Sequence, residues 1–412
     1  MGTVAASPPV ERRLDRGAIG ALASGHLAVD FAQGAVPAML PFFVQERHFS
    51  YAAAAGLVLA QSVSSSVVQP LFGRLADRWP LPWLMPAGVA LSGLGLGAAG
   101  LLPHYTSVWL AIAVGGIGVA ALHPEAARYA NYASGGQRST GLAVFQIGGI
   151  AGFALGPALA TPLLLALGLN GSWALALPGL AIAAVLTGRL PRIHHHRQAA
   201  VMEVGRRQAA REPDRVGAFA RLTATMLVRA IVFYGLNTFI PLYWIAVLHQ
   251  SKAAGGAALT VLLVAGGFGT LLGGRLAERH SRRALIATGC GLIAPLIVLL
   301  VLTTSPWLAV GLLVPLAVAL YVPTSPLVLS GQEYLPSSMG TASGVTLGLA
   351  VSVGGVVTPG LGAIADHVGL RPTLLLLAVL PVAMVALALT LPDPRRPGGP
   401  AGAASRAQTS PM

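Results

Sequence analysis

The segment Gly274–Thr303 reads GRLAERHSRRALIATGCGLIAPLIVLLVLT. It opens on a charged hinge, Gly274-Arg-Leu-Ala-Glu278-Arg279, with Arg282 and Arg283 behind it, and then runs from Leu285 to Thr303 without a charge. A helix needs about 20 mainly apolar residues to cross the hydrocarbon core of a bilayer. The segment therefore reads as one span following a basic turn. Similar runs, such as Leu91–Leu102, recur along the chain. Of its 412 residues 55% are hydrophobic and 9% charged, against about 25% charged in soluble proteins. The mean hydropathy is +0.72. That much apolar sequence exceeds what one water-soluble core can hide, which excludes a soluble enzyme, a nucleic-acid-binding domain and a disordered chain. The runs do not alternate apolar with polar residues, so a β-barrel is excluded as well. Cys290 stands alone inside an apolar run, which excludes disulfides and Cys-rich metal sites.

Three stretches are too polar to span: residues 1–16, 188–218 and 392–412. The rest divides by twelve into units of about 29 residues, one span and a turn each. The expected spans are 17–44, 51–73, 83–102, 106–131, 139–166, 171–188, 219–248, 253–275, 283–303, 306–331, 339–366 and 370–391. The first is read as a retained helix and not a cleaved signal, because it is too long and polar-studded. With the N-terminus inside, the turns place 22 basic residues on the cytoplasmic side and three (Arg47, Lys252, Arg371) outside, with Arg229 inside a span. This asymmetry predicts an even number of spans and both termini cytoplasmic. It also accounts for the +13 charge without nucleic acid.

The hinge has a twin. Gly73-Arg74-Leu-Ala-Asp77-Arg78 precedes Gly274-Arg-Leu-Ala-Glu278-Arg279 by 201 residues, and Gly156-Pro157 precedes Thr358-Pro359 by 202. Two landmarks at nearly one spacing imply two six-helix halves related by duplication, a transporter signature. The expected organisation is a tail (1–16), an N-terminal six-helix domain (17–188), a cytoplasmic linker (189–218), a C-terminal six-helix domain (219–391) and a disordered tail (392–412). His194-His195-His196 in the linker reads as a solvated run in preference to a metal site.

An ionisable group at the centre of a span costs at least about 2.5–3.5 kcal/mol, so each needs a reason. His26 and Asp30 lie four apart on one face of the first span, which Gln33 roughly continues. They read as a mutually satisfied pair or as a proton site, since burial penalises the charged carboxyl. In the fourth span Glu125 and Arg128 share a face, while His123 points nearly opposite Glu125. Pro124 marks a deformable spot between them. Glu125–Arg128 is either a packing ion pair, or Arg128 contacts an anion or Asp30 while Glu125 or His123 relays protons. Arg229, Phe233 and Asn237 form a stripe on the seventh span. Arg229 either snorkels to the surface or binds a phosphonate or carboxylate with its planar fork. Gln61, Ser62, Ser65, Ser66 and Gln69 read as hydrogen-bonding between helices. Gly95-Leu-Gly97-Ala-Ala-Gly100 spells a dinucleotide fingerprint inside a span with no preceding strand, a false match. No metalloprotease motif, nucleophile elbow or phosphate loop occurs, so neither a cofactor nor catalysis is expected.

The paired hinges resemble the loop motif of the major facilitator superfamily, found between its second and third and its eighth and ninth helices. The first copy departs from it at Trp79-Pro-Leu-Pro-Trp83. Gly152-Phe-Ala-Leu-Gly156-Pro157 resembles the fifth-helix motif of that superfamily's drug/proton antiporters. His26, Asp30 and Gln33, Gln69–Gly73, His123–Glu125 with Arg128, Ala133–Gly136 and Phe145–Gly149 are similar to its fosmidomycin-resistance branch. The resemblance implies an all-α, multi-pass inner-membrane protein of twelve helices that exchanges protons for a small drug-like or anionic solute, as a monomer. It implies proton coupling at Asp30, Glu125, His26 and His123, and substrate contact at Gln33, Arg128, Gln146, Arg229 and Asn237. Gating falls to Gly73, Arg74, Asp77, Arg78, Gly274, Glu278 and Arg279. A metabolite importer stays open beside this reading, as do a membrane sensor and a membrane enzyme.

Overall fold

The computed structural model describes residues 14–79, 81–135, 137–201, 213–335, 345 and 350–392. Among these the chain is helical, with no strand. The N-terminal half consists of α1 (Arg16–Glu46), α2 (Tyr51–Arg78), α3 (Leu84–Ala99), α4 (Tyr105–Ala133), α5 (Arg138–Leu167) and α6 (Ala176–Val201). A 3₁₀ segment, Leu169–Leu175, precedes α6. The C-terminal half consists of α7 (Val216–Ala246), α8 (Lys252–Arg279), α9 (Arg282–Leu302), α10 (Pro306–Tyr321), α11 (Thr324–Tyr334), α12 (Ala350–Val368), α13 (Leu370–Leu377) and α14 (Leu380–Leu389).

Ten stretches of the described residues are long and apolar enough to cross a membrane. The third expected span is the shorter apolar helix Leu84–Ala99. The eleventh is α12, and the start of its expected range (339–349) lies outside the described residues apart from residue 345. The tenth and twelfth are broken helices, α10 with α11 and α13 with α14. Pro323 explains the first break, because it lacks the N–H that would continue the ladder. Single prolines elsewhere (Pro37, Pro41, Pro124, Pro157, Pro241) lie within continuous helices, as neighbouring spans permit.

The linker begins later than expected. Helix α6 continues past residue 188 to Val201, because the basic run after it contains good helix formers and the polar stretch could leave the apolar layer without unwinding. Arg192 on this extension holds Asp15 through Nε and Nη2, both at 2.8 Å. Asp15 in turn caps α1 by accepting from Gly17 and Ala18. The side chains of His194–His196 and residues 202–212 of the linker lie outside the described residues, as do 1–13 and 393–412 of the tails. The paired hinges differ from expectation too: they form the last turns of α2 and α8 and are not loops. No breaker intervenes before Trp79 and His280, and Arg78 and Arg279 suit a helix C-terminus.

The two halves repeat local geometry as well as sequence. Ser50 caps α2 and Ser251 caps α8, each through its side chain, while His48 and His249 two residues before them take left-handed φ of 55° and 53°. Within the N-terminal half, glycines let helices nearly touch. A Cβ at Gly148, Gly152 or Gly156 of α5 would collide with the α1 backbone at Ala23, Leu27 or Gly34. Gly95, Gly97 and Gly100 pack α3 on α4, α6 and the 3₁₀ segment, which accounts for the false fingerprint.

Candidate functional site

Four candidates meet at mid-height between α1 and α4. His26 Nε2 lies 3.3 Å from Oδ2 of Asp30, one turn along α1. His123 reaches over from α4 with Nε2 3.5 Å from Oδ1. Gln33 donates from Nε2 to Oδ1 at 3.0 Å. The two imidazoles meet edge to face with centroids 4.9 Å apart, and His26 stacks on Phe145 of α5 at 4.3 Å. His26 is buried, whereas Asp30 and His123 keep 15% and 22% of their side-chain surface.

The outer edge of each ring is fixed by backbone. His26 Nδ1 lies 2.9 Å from the carbonyl of Phe145, and His123 Nδ1 lies 2.9 Å from that of Val119. A carbonyl only accepts, so both Nδ1 atoms carry hydrogen and donate. In their neutral forms both rings then turn a lone pair at Nε2 towards a carboxylate that offers lone pairs only. Such an arrangement repels unless positive charge lies between its members. Gly149 of α5 lets that helix pack directly on the His26–Asp30 pair, since a Cβ there would come within 2.5 Å of the His26 ring and 2.7 Å of Asp30 Oδ2.

Glu125 faces away from this cluster, as two residues of helix require. It is 1% exposed, and Arg128 Nη2 sits 3.1 Å from its Oε2. Arg128 therefore pairs with Glu125, and His26, His123 and Gln33 are the partners of Asp30. Gln146 is exposed on α5, one position beyond the residue whose carbonyl holds His26.

Of the α7 stripe, Phe233 reaches the other half. The ring of Phe233 stands against Tyr234 and Tyr321 at 5.2 and 5.6 Å, and across the halves from Phe153 of α5 at 6.2 Å. Tyr234 lies within electrostatic reach of Asp30. Arg229 does not snorkel. Its Nη1 donates to the Leu320 carbonyl at 3.1 Å, where α10 breaks, and its Nε is buried with no partner among the described residues. Asn237 is buried, donates to Phe233 and leaves Oδ1 without a described partner.

The halves meet along α2–α12 and α5–α8. Lys252 Nζ pairs with Glu46 at 2.9 Å and lies over the Phe42 ring. Asp366, near the end of α12, accepts from the first N–H groups of α2, Tyr51 at 2.7 Å and Ala52 at 3.0 Å. Ser66 and Ser352 bond at 2.5 Å. Among the described residues these contacts run from the α1–α2 turn to mid-helix, and the hinge end contributes Arg282–Glu333 within the C-terminal half. Gly73, Arg74, Gly274, Glu278 and Arg279 sit at that end, and Arg78 lies over the Trp79 ring at 5.2 Å. The Asp77 side chain lies outside the described residues. On α2, Gln61 donates to the Ala32 carbonyl of α1 and Ser66 meets Ser352, whereas Ser62 and Ser65 bond back to carbonyls of α2 itself.

Sequence reading missed the parts that carry no distinctive side chain: the Phe145 and Val119 carbonyls, the close approach at Gly149, and the cap at Asp366. A single acid near a span end gives no signal by itself.

A helical, membrane-crossing bundle of repeated halves, with a few ionisable groups buried within its spans, defines a secondary transporter. Residues 22–359 match the Major Facilitator Superfamily, and the chain belongs to it. It is 29% identical over 398 residues to the fosmidomycin resistance protein of Escherichia coli, covering 95% of this chain and 96% of that one. It is 28% identical over 378 residues to the MFS-type transporter YfnC of Bacillus subtilis, covering 90% and 91%. Its fold is shared with a bacterial homologue of the human lysosomal transporter Spinster, solved inward-facing and occupied, at 17% identity and a TM-score of 0.74 over 90% of this chain and 95% of that one. The protein is a multi-pass transporter that works by alternating access, and not an enzyme.

Proposed function

We propose that the protein exports a small anionic or drug-like solute, fosmidomycin among the first to test, in exchange for protons across the inner membrane. The observation that carries this reading is the His26–Asp30–His123 cluster, a carboxylate set between two imidazoles within the spans of the N-terminal half. The near full-length likeness to a fosmidomycin resistance protein supports the cargo class. Both termini are cytoplasmic in this reading, so the contacts near the α1–α2 turn close the outer side. Protons occupy the cluster from one side and leave to the other as the halves rock. Arg229 and Asn237, each with an unsatisfied buried polar atom, together with Arg128, Gln33 and Gln146, supply polar contacts for the solute. Glu125 and the paired hinges, Asp77 included, couple the cluster to closure of the inner side. The chain acts as a monomer.

The energetics suffice. A proton moving down about 100 mV releases about 2.3 kcal/mol, and about 1.4 kcal/mol corresponds to tenfold, so one proton sustains roughly a fiftyfold gradient of neutral cargo. Two experiments test the proposal. Expression in a drug-sensitive bacterial host should raise tolerance to fosmidomycin, and unchanged growth inhibition despite good membrane insertion refutes that cargo. In liposomes, an imposed pH gradient should drive solute flux that is lost in Asp30→Asn. Flux unaltered in both Asp30→Asn and Glu125→Gln removes these residues as coupling sites.

A further inference from the structure

The geometry points to a second occupant of the same cluster: one divalent transition-metal ion of the Zn²⁺ class, held by His26 Nε2, His123 Nε2 and the Asp30 carboxylate. These three residues each offer a ligand atom, all within 4.8 Å of one another. Zinc bonds to imidazole nitrogen and carboxylate oxygen are about 2.0–2.2 Å, and the edge of a tetrahedron built on them is about 3.3–3.6 Å. His26 Nε2 lies 3.3 Å from Oδ2 and His123 Nε2 lies 3.5 Å from Oδ1, so the two rings face the two oxygens of one carboxylate, near enough for small movements to close them on one ion.

The supporting contacts are those a metal centre needs. A ligating histidine donates its other ring N–H to a carbonyl or carboxylate, which fixes tautomer and orientation. Both rings do so, to Phe145 and Val119, and Gln33 holds the carboxylate. Two imidazoles and a carboxylate suit Zn²⁺ more than the hard cations Mg²⁺ and Ca²⁺, which prefer all-oxygen sites. The partial exposure of Asp30 and His123 gives an ion access and leaves a fourth position for water. Only a glycine at position 149 lets the α5 backbone pass this close to His26 Nε2 and Asp30 Oδ2. Binding of the ion does not depend on fosmidomycin or protons being what the chain moves.

The test is equilibrium dialysis of the purified, metal-stripped protein without a polyhistidine tag, with His194, His195 and His196 replaced by alanine throughout. Zn²⁺ is counted by elemental analysis. One ion per chain is expected, bound at least about tenfold more weakly in Asp30→Asn and His123→Gln, since even outer contacts of metal ligands are worth about 10–100-fold. Glu46→Gln, an acid at the far end of α1, should bind as the parent does. Co²⁺ on the parent gives a readout independent of any substitution at the cluster, and ligand-field bands of four-coordinate intensity are expected. No bound ion, equal affinity in both cluster variants, or a weakly absorbing six-coordinate Co²⁺ spectrum overturns the assignment.

Discussion

At the scale of single residues, the site is a contest between burial and charge, and helical spacing showed His26 with Asp30 and Glu125 with Arg128 but not His123 with Asp30. Helical spacing was enough to separate His123 from Glu125 on opposite sides of α4. It was not enough to say that His123 would cross to Asp30, because that depends on how close α4 stands to α1. Glu125 illustrates the energetic stake. With Arg128 removed, a carboxylate 1% exposed loses its 3.1 Å partner, and breaking such buried pairs costs about 3–5 kcal/mol. Arg128→Leu should therefore lower the thermal midpoint of the detergent-solubilised protein sharply. The double variant Glu125→Gln/Arg128→Leu should recover most of the loss. Equal midpoints for the single and double variants would show the pair to be unimportant.

At the scale of helices, two devices set the geometry. The first is the glycine stripe of α5, which puts the backbones of α1 and α5 in contact and so brings Phe145 to His26. Adding bulk there overpacks the contact, at about 1–3 kcal/mol. Gly152→Val should lower the thermal midpoint and also lower transport per folded molecule, whereas an alanine at Gly188, where a Cβ meets nothing within 4 Å, should do neither. The stripe was legible as a motif, but its role as packing was not, since glycine spacing does not name the opposing helix. The second device is the cap that Asp366 places on α2 from the other half. Losing a cap of this kind costs about 0.5–2 kcal/mol. Asp366→Ala should shift the population towards the conformer in which these ends separate, by up to about thirtyfold at the top of that range. Spin labels at positions 48 and 367 on a Cys290→Ala background would report the distance, and an unchanged distribution would rule the latch out.

At the scale of the molecule, alternating access requires the contacts near the α1–α2 turn to break once per cycle. The Glu46–Lys252 pair spans the halves there and is partly exposed, Glu46 at 38% and Lys252 at 18%, so its ionic contribution is modest, about 0–1 kcal/mol. Neutralising it should leave transport nearly intact. Bridging the same two positions covalently, as cysteines joined by a short bismaleimide in the Cys290→Ala chain, should abolish transport while binding persists. Flux continuing through the cross-linked protein would mean that this end never opens.

The number of spans, the duplication and the scarcity of intramembrane charge were determined by sequence alone, because lipid admits only long apolar helices and leaves a sharp compositional trace. The end of α6, the helical hinges and the break at Pro323 were less legible, because leaving the bilayer does not oblige a helix to stop. The approach of His123 to Asp30, the turning of the His26 ring by the Phe145 carbonyl and the cap at Asp366 were decided only in the folded molecule. Each joins atoms from helices far apart in the chain, and the last two use main-chain groups that every residue carries alike.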